Sequence, residues 1–284
     1  MNKILLTGAN GQVGWELARS LAPLGEVIAR NRATLDLTDS AAVAVAIKEV
    51  RPDIVVNAAA YTAVDQAERE PDLAMKINAE APAVMAEAAQ KLGSLLVHYS
   101  TDYVFDGVKQ GAYTEEDMPN PLGIYGRSKL AGEQAIQLSG CRHLIFRTSW
   151  VYGLRGKNFL RTIQRLAGER NELSIVDDQV GAPTWSRMIA KATALALRCD
   201  PESGIYHLTA AGATSWHGFA KAILEAQQWG GKLTAISTDD YPLPAKRPAN
   251  SRLNNAKLAS ALDLHLPDWH RALRLCLPES SGRL

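Results

Sequence analysis

Short apolar runs and longer amphipathic stretches take turns along the first half of the chain. Five runs have the length and β-branched content of buried strands, and they cover residues 4–7, 27–30, 54–57, 95–100 and 143–147. Stretches with a helical spacing of apolar residues separate them, and the longest predicts a helix over residues 72–92. Because strands that alternate with helices form parallel sheets, the pattern predicts an α/β fold with a Rossmann-type, doubly wound parallel sheet.

The regular alternation weakens after residue 150. Helices are predicted there over residues 158–169 and 216–228, and short strands near residues 174–178 and 206–208. We therefore predict two interleaved parts. The first is a domain at residues 1–150, and the second is a smaller C-terminal α/β lobe at residues 151–284.

The composition excludes several classes of function. A net charge of +1 over 284 residues provides no basic field for nucleic acid. The apolar runs are too short to span a bilayer, and the first residues lead into a strand rather than a signal peptide. Cys141, Cys199 and Cys276 have neither C-x-x-C nor metal-ligand spacing. We therefore expect a cytoplasmic protein that binds a small molecule and has no recognisable metal site.

A glycine-rich segment follows the first predicted strand. Gly8, Gly11 and Gly14 have G-x-x-G-x-x-G spacing and lead into a helical pattern. A strand, a glycine turn and a helix in this order are the context of a dinucleotide-binding fingerprint, in which the phosphates lie at the helix N-terminus. The segment predicts a nicotinamide-dinucleotide site, and a plain glycine-rich βα turn is the alternative.

The end of the second predicted strand bears on the choice of cofactor. Rossmann domains that prefer NAD often have an acidic residue there, which binds the ribose 2′-hydroxyl. This sequence has Arg30 instead, with Arg32 close by. A guanidinium favours a 2′-phosphate, so we expect NADPH to be preferred, with NADH as the alternative cofactor. The simpler interpretation of Arg30 is an exposed loop arginine.

Tyr125 and Lys129 are four residues apart at the start of a predicted helix, so they lie on the same helix face. An ammonium beside a phenol would lower the phenol pKa and prepare it to exchange a proton with a substrate oxygen. Thr101 ends the fourth strand and could bond the same oxygen. A surface helix pair is the simpler explanation, and His98 is expected to be a core histidine.

Two loops complete the set of candidate sites. The loop at residues 106–121 is long and acidic, which fits either a lid or a solvated loop. The segment 246–252 contains Lys246, Arg247 and Arg252 in a chain with no general excess of positive charge. It predicts a diphosphate site, with a solvated basic loop as the alternative.

Seven stretches, in order along nearly the whole chain, match one known family. They are residues 8–15 (GANGQVGW), 51–65 (RPDIVVNAAAYTAVD), 98–105 (HYSTDYVF), 125–133 (YGRSKLAGE), 145–152 (IFRTSWVY), 178–184 (DQVGAPT) and 247–254 (RPANSRLN). The sequence resembles the dTDP-4-dehydrorhamnose reductase family, within the extended form of the short-chain dehydrogenase/reductase superfamily. STDYVF, RTSWVY and DQVGAPT are typical of this branch rather than of the superfamily as a whole.

The resemblance implies a role for each matching residue. It assigns catalysis to Thr101, Tyr125 and Lys129. It places the remaining cofactor contacts along the nicotinamide dinucleotide, namely Gly11, Gln12, Val13, Asp36, Leu37, Ala60, Tyr61, Thr62 and Tyr99. The sugar nucleotide is expected to contact Thr101, Asp102 and Trp150, with its diphosphate in the C-terminal lobe near Arg247.

By this resemblance, residues 1–150 bind NAD(P) and residues 151–284 bind the sugar nucleotide. The implied reaction is NAD(P)H-dependent reduction of the C4 keto group of dTDP-4-dehydro-L-rhamnose, the last step of dTDP-L-rhamnose synthesis for cell-surface polysaccharides such as lipopolysaccharide. Some members are described as magnesium-linked dimers held by carboxylates. Glu16 is present here, but Arg187 and Lys191 stand where acids would help. A bound Mg²⁺, and the choice between a monomer and a homodimer, therefore stay open.

Three other functions compete with reduction. A 4,6-dehydratase of the superfamily has a glutamate after Thr-Asp, whereas Tyr103 follows Asp102 here. A 4-epimerase keeps its NAD tightly bound and returns the hydride, so NAD retained through purification would favour it. A non-catalytic cofactor-binding subunit need not keep the triad, and here Thr101, Tyr125 and Lys129 are all intact.

Overall fold

A six-stranded parallel sheet forms the centre of the molecule in a computed structural model, which describes residues 2–277. The described residues form twelve strands: β1 Asn2–Thr7, β2 Gly25–Ala29, β3 Ile54–Asn57, β4 Leu95–Thr101, β5 His143–Thr148, β6 Val151–Tyr152, β7 Glu172–Val176, β8 Val180–Gly181, β9 Thr184–Trp185, β10 Gly204–His207, β11 Thr214–Ser215 and β12 Lys232–Ile236. The order in the main sheet is β2-β1-β3-β4-β5-β10, and every neighbouring pair is parallel. The predicted Rossmann-type, doubly wound sheet is confirmed.

Helices cover both faces of this sheet. The α-helices of the described chain are α1 Gln12–Ser20, α2 Ser40–Val50, α3 Val64–Ala67, α4 Pro71–Met75, α5 Ala81–Leu92, α6 Ile124–Leu138, α7 Phe159–Glu169, α8 Ser186–Cys199, α9 Trp216–Ala226, α10 Ala256–Leu262 and α11 Trp269–Cys276. One buried cluster joins the sheet to α1, α8 and α10, and a second joins it to α2, α5 and α6. The order of strands reverses between β1 and β3. Ligands of open α/β sheets bind at such a switch point, beyond the carboxyl ends of the strands.

The C-terminal half has small sheets and a core of its own. The strand pairs β7–β12, β8–β11 and β6–β9 form three two-stranded sheets. A third buried cluster combines residues of α7, α9 and α11 with Tyr152 and Trp185. The predicted strand near residues 206–208 is β10, but its predicted place in the C-terminal lobe is wrong, because it pairs with β5 and joins the main sheet. The division at residue 150 stays a prediction, since the main sheet contains strands from both sides of it.

The predicted helix over residues 72–92 contains an irregular turn. A π-helical turn, Lys76–Glu80, separates α4 from α5, and such turns often occur at functional sites. Asn78 in this turn is fully buried. Its side chain bonds the Tyr61 amide at 2.8 Å, the Tyr61 carbonyl at 3.0 Å and the Ser128 hydroxyl at 3.0 Å. The turn therefore fixes both the loop after β3 and the position of α6.

Among the described residues, no helix combines the length and the apolar character that crossing a membrane requires.

Candidate active site

The glycine turn lies between β1 and α1, at the switch point of the sheet. Gly8 has φ +71°, and a Cβ there would lie 2.6 Å from the backbone carbon of Ala58 after β3. A Cβ on Gly14 would lie 2.1 Å from the Gly8 carbonyl oxygen. Gly11 caps α1 with extended backbone, so the amides of Gln12 and Val13 begin the helix. This cradle of bare backbone suits a pyrophosphate at a helix N-terminus.

The residues expected near the adenosine follow β2. The Ala9 amide bonds the Arg30 carbonyl at 3.1 Å, which ties the end of β2 to the glycine turn. Asp36 accepts bonds from the Thr38 amide and hydroxyl, both at 3.0 Å, and those bonds lower its pKa against a smaller opposing effect of burial. Leu37 is buried in the core. The Arg30 guanidinium forms no ion pair within residues 2–277, whereas Arg32 lies 3.7 Å from Asp36.

Two tyrosines assigned to the cofactor differ in their surroundings. Ala60, Tyr61 and Thr62 follow β3 at the carboxyl edge of the sheet, and the Tyr61 hydroxyl donates to Glu70 at 2.6 Å. Tyr99 lies in the core, where its hydroxyl is 2.7 Å from the Thr193 hydroxyl and its ring packs on Phe146. The cofactor role of these residues stays a prediction.

Thr101, Tyr125 and Tyr103 meet where β4 ends. Thr101 is the last residue of β4 and Tyr125 is the second residue of α6. The ring of Tyr103 packs edge-on against that of Tyr125, with centroids 5.7 Å apart. The Ile124 amide bonds the Glu68 carboxylate at 2.8 Å, so α3 anchors the start of α6. The structure thus brings together the hydroxyl groups of Thr101 and Tyr125.

The expected activation of the Tyr125 phenol is wrong for the cofactor-free protein. Burial raises the pKa of Tyr125 to about 12, while a hydrogen bond with Thr101 acts in the opposite direction. The prediction failed because it assumed that the Lys129 ammonium lies beside the phenol. Lys129 Nζ instead lies 3.0 Å from His98 Nε2. A phenol with a raised pKa is a proton donor rather than a phenolate at neutral pH.

Lys129 is buried among polar side chains of the sheet and of its own helix. It is 1% exposed, and burial lowers its pKa to about 8, against the opposing attraction of Glu133. Glu133 is itself paired with Arg147 of β5 through bonds of 2.9 and 2.6 Å. Both partners of that ion pair are buried. The pair therefore lies one helical turn beyond Lys129 and holds α6 against the sheet.

Asp102 combines deep burial with an incomplete set of hydrogen bonds. It is 2% exposed, and the Thr101 hydroxyl donates to its Oδ1 at 3.0 Å. Among the described residues, no hydrogen bond of normal geometry reaches its Oδ2, although the nearby Ser251 hydroxyl partly opposes the effect of burial on its pKa. Burial raises the pKa of Asp102 to about 7, because an unpaired carboxylate is costly in an apolar setting. A hydroxyl group of a ligand could donate a hydrogen bond to Asp102 Oδ2, which agrees with the predicted contact between Asp102 and a sugar.

Trp150 follows β5 in an unusual backbone conformation. Its φ is +47°, which is rare for a bulky residue and typical of functional sites. The indole stacks on Trp216 of α9, with ring centroids 3.5 Å apart and an angle of 4° between the planes. Trp216 in turn donates to Gln179 at 3.2 Å. The half-buried Trp150 therefore lies on a fixed aromatic support from the C-terminal half.

The basic segment and the long acidic loop contact each other. Asn250 bonds the carbonyls of Lys109 and Gly111, and Arg252 bonds that of Gln110. Arg247 instead pairs with Asp65, at 2.7 and 3.1 Å. The lid role of the loop and the diphosphate role of Arg247 stay predictions.

Three functional neighbours escaped the sequence analysis: Asn57, Glu133 and Arg147. His98 was expected to be a core histidine, and its complete burial agrees, but its contact with Lys129 was not foreseen. The available signal was the alternation along β4, which puts His98 and Ser100 on the face opposite Tyr99 and Thr101. A polar residue at position 98 of an otherwise apolar strand requires a polar partner.

The structure shows the surroundings of Glu16, the carboxylate considered for a Mg²⁺ site. The Glu16 carboxylate lies 3.2 Å from Nε of Arg187, so it is already paired with a cation. Residues 2–277 contain no group of three or more potential metal ligands. Oligomeric state stays a prediction.

Comparisons with known proteins agree with this arrangement. A family model described as the RmlD substrate binding domain matches residues 1–281. A dTDP-4-dehydrorhamnose reductase of Burkholderia thailandensis is 51% identical, over 97% of this chain and 98% of the relative. One of Escherichia coli K12 is 47% identical, over 97% of each chain. A dTDP-4-dehydrorhamnose reductase of Bacillus anthracis, solved in complex with NADP, superposes with a TM-score of 0.93 at 38% identity, over 97% of this chain and 98% of that one.

These relatives match the chain over nearly its full length. The chain belongs to the dTDP-4-dehydrorhamnose reductase family of oxidoreductases.

Proposed function

We propose that this chain reduces the C4 keto group of dTDP-4-dehydro-L-rhamnose with NADPH and forms dTDP-L-rhamnose. The observation that carries the proposal is the meeting of Thr101 and Tyr125 at the carboxyl end of β4, with Lys129 one helical turn beyond Tyr125. The backbone cradle of Gly8 and Gly14 fits the pyrophosphate of the cofactor. When bound, NADPH supplies a hydride from its nicotinamide ring.

Residues of the chain donate the proton, stabilise the developing charge and hold the cofactor and the sugar. The Tyr125 phenol, whose pKa burial raises to about 12, gives its proton to the sugar oxygen as negative charge develops there. The Thr101 hydroxyl, which donates to Asp102 Oδ1 in the structure, turns from that carboxyl group to the same sugar oxygen and donates a hydrogen bond to it. Lys129 holds the cofactor ribose and stabilises the tyrosinate that remains. Asp102 accepts a sugar hydroxyl at its unpaired Oδ2, and Trp150 covers the sugar.

The preference for NADPH over NADH rests on the residues after β2. Arg30 is available for a 2′-phosphate, while Asp36, which is expected near the adenine, is already bonded to Thr38. The NADP in the Bacillus anthracis relative supports the same choice. A cytoplasmic location is included in the proposal, because Cys141, Cys199 and Cys276 are all free thiols, as expected in a reducing compartment.

A coupled absorbance assay tests the proposal. The protein is mixed with dTDP-4-dehydro-L-rhamnose generated in situ, and oxidation of NADPH or NADH is followed at the nicotinamide band. Oxidation that requires both protein and sugar is expected, faster with NADPH, and Arg30→Ala should reduce the difference between the cofactors. Folded protein that binds NADPH without oxidising it would contradict the reductase. NAD retained at one per chain would instead favour the epimerase.

A further inference from the structure

A line of hydrogen bonds leads from the central strands to Lys129. The Thr7 hydroxyl donates to Asn57 Oδ1 at 2.7 Å, Asn57 Nδ2 lies 3.1 Å from His98 Nδ1, and His98 Nε2 lies 3.0 Å from Lys129 Nζ. All four side chains are at most 2% exposed. Buried polar groups require partners, so the direction of each bond can be worked out from its neighbours.

The direction is fixed at Asn57. Its Oδ1 receives the Thr7 hydroxyl and, at 3.3 Å, the backbone amide of Ala59. An oxygen with two donors is the amide oxygen, so the atom that faces His98 is the NH₂ group, which only donates. His98 Nδ1 is therefore an acceptor. A neutral imidazole has one acceptor and one donor nitrogen, so the His98 proton is on Nε2 and faces Lys129.

His98 remains neutral in this position. Burial lowers its pKa well below the usual value, and the nearby Lys129 lowers it further. An Nε2–H group that faces an ammonium would put two donors against each other. The bond is satisfied when Lys129 accepts it through the lone pair of a neutral amine. Burial lowers the pKa of Lys129 to about 8, so the neutral amine predominates at mildly alkaline pH.

Other charged groups near Lys129 oppose this state only in part. Tyr125 and Glu133 lie one turn away on α6, and Glu133 favours the ammonium. The Glu133 carboxylate also forms an ion pair with the Arg147 guanidinium of β5, which weakens its attraction for the Lys129 ammonium. From β4, the facing group is His98, and behind it β3 contributes the uncharged Asn57. The amine is therefore stabilised from the sheet side, while its own helix favours the cation.

We propose that His98 is a positioning residue which, as its Nε2–H tautomer, holds Lys129 as a neutral amine in the cofactor-free protein at mildly alkaline pH. When cofactor binds, Lys129 leaves His98 for the ribose and the Tyr125 oxygen and takes one proton from solvent onto Nζ. No other bond is made or broken in this step. This proposal rests on the proposed reductase function only for the contacts that Lys129 makes with the ribose and with the Tyr125 oxygen after cofactor binds.

The tautomer can be observed without turnover. Ring-nitrogen NMR of the cofactor-free protein, with His98→Gln to identify the signals, should show His98 as the Nε2–H form at a pH of about 9, where the Lys129 amine predominates. An Nδ1–H tautomer or an imidazolium would overturn the proposal. Asn57→Asp provides the matched variant: its carboxylate still accepts from Thr7 and Ala59 but also accepts from Nδ1–H, so the His98 signals should change to the opposite tautomer.

Proton uptake tests the movement of Lys129. Calorimetric titration with NADPH at a pH of about 8, in buffers of different ionisation enthalpy, should show uptake of about half a proton per cofactor, since the Lys129 pKa is about 8. His98→Gln, whose amide can still donate to Lys129, should keep most of this uptake, and Asn57→Asp should lose it. Equal uptake by Asn57→Asp and the unchanged protein would overturn the proposal.

The outcomes separate this proposal from the proposed function. An inactive protein with the Nε2–H tautomer and the expected uptake would contradict the reductase and leave the His98–Lys129 assignment standing. An active reductase with the Nδ1–H tautomer would overturn the assignment alone.

Discussion

Arg247 and Asp65 form a two-point ion pair across 182 positions of the chain: Nη2 lies 2.7 Å from Oδ2, and Nη1 lies 3.1 Å from Oδ1. Asp65 belongs to α3, just beyond β3, whereas Arg247 belongs to the basic segment of the C-terminal half. The Arg247 charge also acts on the pKa of the nearby Tyr103, whose ring contacts that of Tyr125. The pair therefore joins the predicted diphosphate segment to the catalytic edge of the sheet.

Loss of Arg247 should weaken binding of the sugar nucleotide. We expect Arg247→Met to raise its KM about tenfold or more with a small change in kcat, because hydrogen bonds to charged groups contribute about 1.5–3 kcal/mol. Lys246→Met, at the exposed neighbouring position, is the control and should change KM less than about twofold. Steady-state kinetics with varied sugar nucleotide would measure both. An equal effect of Asp65→Asn would show that Arg247 acts only through the ion pair.

Tyr125→Phe removes the proposed proton donor without removing the ring. Turnover should fall by about 10²–10⁴-fold, while the affinity for NADPH stays the same. Single-turnover reduction and fluorescence titration with NADPH would measure the two quantities. Tyr206→Phe, which loses a bond to the Glu202 carbonyl, provides a control away from the catalytic edge. Full turnover by Tyr125→Phe would exclude Tyr125 as the acid.

Gly132 marks the closest approach of α6 to the π-helical turn. A Cβ there would lie 2.1 Å from the Asn78 carbonyl oxygen, so Gly132→Ala must push two helices apart. We expect it to lower the free energy of unfolding by about 1–3 kcal/mol. Gly168→Ala in α7, where a Cβ meets nothing within 4 Å, should raise it by about 0.5–1 kcal/mol. Urea denaturation of both variants would decide, and equal effects would contradict the close contact.

Asp102 should make stability depend on pH. Its pKa is raised to about 7 in the folded protein from 3.8, so the unfolded chain ionises first as pH rises. Protonation of Asp102 therefore stabilises the folded protein, fully below a pH of about 4 and not at all above a pH of about 7. Between these two pH values its contribution to the free energy of unfolding decreases by roughly 1.4 kcal/mol per pH unit. Asp102→Asn removes this dependence. The variant should therefore gain stability relative to the parent protein between these limits in guanidinium denaturation, and a constant difference would contradict the raised pKa.

The sequence predicted the parts of the site that depend on local spacing. The glycine turn follows from Gly8, Gly11 and Gly14 between a strand and a helix, and the shared helix face of Tyr125 and Lys129 follows from their separation. Helix and strand periodicity also predicted five strands of the main sheet with small errors at their ends, whereas the sixth, β10, was predicted as part of the C-terminal lobe. Each of these inferences needs only neighbours along the chain.

The remainder depends on partners that are distant in sequence. The pKa of Tyr125 was predicted in the wrong direction because Lys129 bonds His98, 31 positions earlier. The π-helical turn reflects the close contact between Asn78 and Gly132, which no helical pattern reveals. Arg247 was expected to be free for a diphosphate, and its contact with Asp65 follows only from how the two halves of the chain pack.

β10 belongs to the main sheet although it lies more than 50 residues after β5 in the sequence, and this affects how the protein can be truncated. β10 covers the outer side of β5, a six-residue strand whose side chains are all buried. A fragment that ends at residue 150 would leave β5 as a bare edge, with a row of unpaired amides and carbonyls ready to recruit another chain. Such a fragment should aggregate through this edge, although it contains the whole glycine turn. Only fragments that extend through His207 include β10 and cover the edge of β5.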